Sequence, residues 1–290
     1  MTRALTGSTR SVALSRSRAF QPSILNHITQ RDTDICVDIY QHRFLTTRQI
    51  FEIHFTSEIR ARVRAHELYL LGVLDRFRPP QRPGSAQWHY VLDRIGAEIV
   101  SGVLDSDVAK KYFENNRPQR LARTPRLEHM RAVNDFFTRL IYAARQSPGY
   151  RVKRWWGERK SSANCHGIVN PDGIGTLRGP KKYEGLERRS VSFFLELDRG
   201  TEESARLERK VDEYAEVAIS PLLPRILLFS LPNERRERYV RDAISSPELT
   251  IATAIQEKHL SDPLGYNWLP LGFTRRVPLI DLWTPTEHPF

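Results

Sequence analysis

Apolar positions recur at helical intervals over residues 30–70 and then switch to the two-residue period of strands. Residues 30–42 set Ile35, Val37 and Ile39 on a first helix. Thr46, with Gln49 three residues on, is a capping-box pair that opens a short helix over 47–55. Thr56 or Ser57 caps a longer one, SEIRARVRAHELYLLGVL, ended by Gly72. In it Ile59, Val63, His66 and Leu70 fall on one stripe at steps of four, three and four, and that stripe is expected to face inward. Residues 73–77 and 87–92 read as strands joined by the Pro/Gly-rich turn RPPQRPGSA, and a helix over 93–104 closes the unit. Three helices and a hairpin, in that order, predict a winged helix-turn-helix over 28–104.

The pattern changes after a charged stretch with Pro118 and Pro125, read as a linker over 105–126. A long amphipathic helix begins at Leu127. Strands are expected at 150–159, 168–177 and 190–198, then a helix at 202–220, a strand at 225–231 and a helix at 233–245. The order α-β-β-β-α-β-α predicts a second, α/β domain over 127–275, with a tail at 276–290. The overall expectation is an α+β protein of two domains, which a 290-residue chain is long enough to form.

Composition narrows the class. With 40% hydrophobic and 10% aromatic residues the chain can bury real cores, and it has no apolar run long enough to span a membrane. The formal net charge is +11. Residues 1–126 hold 20 Lys/Arg against 12 Asp/Glu, a net +8, while 127–290 hold 25 against 22, a net +3. The excess therefore belongs to the winged-helix half and points to a polyanionic partner, double-stranded DNA. Residues 1–27 are basic at their start (MTRALTGSTRSVALSRSRAF carries no acid) and are read as a disordered arm rather than a transit peptide. Two cysteines, Cys36 and Cys165, make no disulfide framework, and a cytoplasmic protein is expected.

The second helix of a helix-turn-helix lies in the major groove, where base edges present a readable code. Here it offers Arg60, Arg62 and Arg64 in its first two turns. With Ile59 and Val63 turned inward, Arg60 and Arg64 are expected to project together and discriminate sequence. Arg48 precedes them, and Arg76, Arg78 and Arg82 on the hairpin suit phosphate contact.

A second candidate lies in SVSFFLELD at 190–198. Alternation puts Phe193, Leu195 and Leu197 on one face and Phe194, Glu196 and Asp198 on the other, the two carboxylates roughly 7 Å apart along the strand. Asp172, in the turn NPDG, is placed to meet Glu196 and form an oxygen cluster of the kind Mg²⁺ takes. PD followed by ExD resembles the PD-(D/E)xK nuclease superfamily, whose core resembles that of restriction endonucleases, except that Asp198 replaces the usual lysine. Lys210 on the following helix is the candidate substitute, with Glu158 and Glu128 as further carboxylates. The alternative is that Asp172 caps a turn while Glu196, Asp198 and Arg199 form salt bridges.

Taken together, FLTTRQI at 44–50, GVLDRF at 72–77, LEH at 127–129, VNDFF at 133–137, PDG at 171–173 and FLELDRGTE at 194–202 resemble the replication-relaxation family of plasmids and integrated elements. The resemblance spans about 30–270. It implies a DNA-binding protein of a mobile element acting in replication control, with double-stranded DNA, replication or conjugation proteins and a second copy of the chain as expected partners. It supplies no catalytic residues. The alternatives are an Mg²⁺-dependent endonuclease or nickase targeted by the winged helix, and a protein–protein adaptor.

Overall fold

The computed structural model describes residues 27–79, 87–104, 118–180 and 189–282. The expected arm before residue 27, residues 105–117 of the expected linker and the turn carrying Arg82 lie outside the described residues. Helix α1 (Gln30–His42) starts where Thr29 and Asp32 cap each other's backbone. Strand β1 (Leu45–Thr46) leads into α2 (Thr47–His54), and Thr46 and Gln49 form the predicted reciprocal cap at 2.8 and 3.2 Å. Then come α3 (Glu58–Leu70), β2 (Leu74–Phe77), β3 (His89–Leu92) and α4 (Arg94–Leu104). β3 lies between β1 and β2, antiparallel to both. β1 went unread because two residues are too few for a period of two to register.

One expectation about α3 is reversed. Ile59 is 65% exposed, Val63 and Leu70 50% each, while Ala61, Ala65 and Leu68 face the core with Ile35, Ile39 and Ile50. The stripe 61, 65, 68 has the same helical spacing as 59, 63, 66. Two alanines let α3 pack closely on its neighbours, and that close packing decides which face turns inward.

The described residues from 118 onward are built on one six-stranded sheet. Their elements are α5 (Pro118–Ala122), α6 (Leu127–Gln146), β4 (Arg151–Gly157), α7 (Glu158–Asn164), β5 (Gly173–Arg178), β6 (Ser190–Leu197), α8 (Ser204–Val217), β7 (Ile226–Leu231), α9 (Glu234–Ala243), β8 (Thr250–Ile255), α10 (Gln256–Ser261) and β9 (Leu269–Pro270). The strand order is β4-β5-β6-β7-β8-β9; β6, β7 and β8 run parallel and the other neighbours antiparallel. β6 alternates as predicted. Phe193 and Leu195 pack with Val133, Phe136 and Phe137 of α6, and Phe194 packs with Leu207, Val211 and Tyr214 of α8. Gly175 admits Phe193 and Phe137: a Cβ there would lie 2.2 Å from the one ring and 2.9 Å from the other.

Two segment boundaries move. Leu121 and Leu127 bury themselves with Phe44, Phe77 and Val91, so the end of the expected linker is part of the N-terminal packing. Leu279 and Leu282 are buried in the sheet's core and Arg276 pairs with Glu237 at 2.6 Å, so 276–282 is core rather than tail.

Helix α6 joins the halves. One side enters the sheet's core. Its other side meets α2, where Thr138 donates to the buried Glu52 at 2.7 Å, Arg139 pairs with Glu52 at 2.9 Å, and Gln49 donates to Asp135 at 2.7 Å. Asn134 adds a hydrogen bond to the Phe44 carbonyl at 2.9 Å.

Candidate functional site

Two groups of polar side chains stand out, one on α3 and its hairpin, the other at one end of β5 and β6. On α3, Glu58, Ile59, Arg60, Arg62 and Val63 are all exposed. Among the described residues the guanidinium groups of Arg60 and Arg62 have no carboxylate partner. Arg64 does not join them. It pairs with the buried Asp32 through two bonds of 2.7 and 2.9 Å, donates to the His27 carbonyl at 2.7 Å and meets Glu67 at 2.8 Å. Burial alone would raise the Asp32 carboxyl, but hydrogen bonds from Arg64 and Thr29 outweigh it and hold it below its usual value. Arg64 ties α3 to α1, a consequence of the inward turn of Ala61 and Ala65. Arg48 pairs with Glu52 at 3.0 Å.

The hairpin places its arginines through aromatic rings. The Arg76 guanidinium lies 4.2 Å from the Tyr69 ring and 4.0 Å from that of Trp88, and Arg78 stacks on Trp88 at 4.0 Å. The rings hold these cations in place.

The carboxylates lie elsewhere. Gly173 pairs with Leu195 in the antiparallel register, so the next residues outward, Asp172 and Glu196, stand opposite one another as the sequence suggested. Asp172 accepts from His129 Nε2 at 2.7 Å and from the Leu197 backbone N–H at 2.8 Å. That bond to Asp172 raises the His129 pKa. Glu196 is buried, 7% exposed: one oxygen accepts from Tyr214 and the other from Lys210 Nζ at 3.0 Å. Burial, then the charge of Asp172, pushes its carboxyl up to about 7. Lys210 also bridges to Glu202 at 2.9 Å.

Lys210 therefore reaches Glu196 as anticipated, but Asp198 does not join the cluster. It shares the face of Glu196 yet turns to Arg236, which grips it at 2.7 and 3.2 Å. Glu158 begins α7 instead of ending a strand and pairs with Arg126 at 2.7 Å. Glu128 pairs with Arg131 at 2.9 Å. Each oxygen of Asp172 and Glu196 already accepts a hydrogen bond, and an ammonium occupies the side of Glu196 facing α8. As arranged, the set does not fit Mg²⁺, which demands open oxygens in octahedral array. Among the described residues no group of three or more His, Cys, Asp or Glu is placed to hold a metal ion. His129 and Glu202 carry only the signal of lying inside the LEH and FLELDRGTE blocks, and Arg236, on α9, carries none in the sequence.

Among the described residues no helix is long and apolar enough to cross a membrane. The family model described as replication-relaxation matches residues 37–221, from within α1 to just past α8, and so covers both groups of side chains except Arg236. No curated protein and no solved structure matches the chain.

Proposed function

The chain belongs to the replication-relaxation family, and from that premise we propose that it is a duplex-DNA-binding protein of a plasmid or integrated mobile element, acting in the cytoplasm in replication control. The observation that carries this reading is the outer face of α3. Among the described residues Arg60 and Arg62 have no acidic partner there, beside a hairpin whose Arg76 and Arg78 are held by Tyr69 and Trp88. The order α1-β1-α2-α3-β2-β3 matches a winged helix-turn-helix, with α3 as the helix that enters the major groove. Arg60 and Arg62 then read base edges, and Arg76 and Arg78 contact phosphates. The α/β part has the element order of a PD-(D/E)xK core, but its Asp172, Glu196 and Asp198 are occupied by hydrogen bonds and ion pairs from His129, Lys210, Tyr214 and Arg236. It serves as the rigid body that α6 fixes to the DNA-binding unit, and the endonuclease alternative is not favoured.

Base contacts by arginine are each worth about 1–3 kcal/mol of discrimination. Arg60→Ala and Arg62→Ala should therefore shrink the ratio between preferred and random duplex affinity, measured by fluorescence anisotropy. Arg64→Ala should instead lower the melting temperature, because it strands Asp32. Unchanged DNA preference in both Arg60→Ala and Arg62→Ala would refute the assignment of α3.

A further inference from the structure

Ile59 and Val63 are β-branched apolar side chains left 65% and 50% exposed in the first two turns of α3, on the helix face that carries Arg62. Nothing within the described structure covers them. Exposed apolar side chains at the reading end of such a helix have one natural counterpart on duplex DNA. Only the major groove offers methyl groups among polar base edges, the C5-methyls of thymine, and apolar side chains meet them there. We infer that Ile59 and Val63 are specificity-determining residues that pack against thymine methyls, so that the preferred site carries thymines under the start of α3. The inference rests on the DNA-binding reading above.

Charge complementarity favours this occupant over a protein helix. Arg60 and Arg62 interleave with the two apolar side chains, and Arg76 and Arg78 stand on the neighbouring hairpin. Packing a helix partner on Ile59 and Val63 would bring those guanidiniums against its apolar surface, whereas phosphates flanking a groove would receive them. The spacing is also suitable. Four helical residues advance about 6 Å at roughly 1.5 Å each. A base step rises about 3.4 Å per strand, so the two side chains span about two steps.

The test uses the full chain. A random duplex pool is enriched for the tightest binders, and the best duplex is remade with deoxyuridine in place of its thymines, which removes only the methyl groups. Wild type should bind the uracil duplex about fourfold more weakly per contacted methyl, the factor expected for one buried methyl-sized group. Ile59→Ala/Val63→Ala should bind both duplexes alike while keeping its affinity for random DNA. Equal binding of thymine and uracil duplexes by wild type overturns this inference and leaves DNA binding standing. An enriched site without thymines does the same. Failure of wild type to bind any duplex overturns the DNA-binding reading itself, and the inference with it. Loss of self-association in the double variant, with uracil sensitivity unchanged, assigns the two residues to a contact between copies and overturns the inference. Both side chains are exposed, so the variant should keep its fold, checked by melting; should it not, the uracil comparison on wild type alone decides.

Discussion

Glu196 is a buried carboxyl facing Asp172, and its proton affinity can be measured. Its pKa is raised to about 7 from an ordinary 4.5, by burial first and by Asp172 second. The folded chain therefore holds this proton more tightly than the unfolded chain does. The contribution to stability is complete below about pH 4.5 and is lost as pH rises through about 7. Glu196→Gln removes the titration and keeps one of the two oxygens that accept from Tyr214 and Lys210. The melting temperature of wild type minus that of Glu196→Gln should fall between about pH 5 and pH 8, and a difference constant across that range would refute the raised pKa. At this scale the sequence was half legible. Alternation placed Glu196 on the face opposite Phe193, and the Asp172 turn met it as expected. Ile59 and Ala61 show the limit. Both lie on stripes of equal helical period, and larger size made Ile59 look like the core residue, whereas close helix packing selects the small one.

Among elements, α6 determines how the N-terminal unit is held against the sheet. Its link to α2 converges on Glu52, which is 1% exposed and receives Arg48, Arg139 and Thr138. Removing one member of a buried charged network leaves the others unsatisfied. Glu52→Ala should cost about 2–3 kcal/mol in urea unfolding, less than the upper range for buried pairs because Arg48 and Arg139 can turn to water. A loss below about 0.5 kcal/mol would mean that the seam is incidental. The amphipathic run and the Thr46–Gln49 box made α6 and α2 readable. β1, α5, α7, β8, α10 and β9 are not legible in the pattern. β1 and β9 are two-residue strands with no period to detect, and the apolar run of β8 is fixed by pairing with β7, a contact between distant parts of the chain.

For the whole molecule, charge and shape are divided between two regions. The formal +11 is concentrated before residue 127, where the arginines of α3 and the hairpin lie, while Asp172, Glu196 and Asp198 in the α/β part are each tied to a cation or donor. This division was visible in the charge count but not in the pairing, since neither Arg236 on Asp198 nor Arg64 on Asp32 follows from spacing. The account's central claim is that the arginines of α3 and the hairpin engage bases and phosphates of duplex DNA. Its most direct test is the salt dependence of duplex binding by the full chain. Each phosphate neutralised contributes about −0.9 to the slope of log affinity against log salt. With Arg76 and Arg78 on phosphates, that slope should be about −2, and Arg76→Ala should reduce its magnitude by about one. No duplex binding at low salt, or binding whose affinity does not change with salt, would contradict the account.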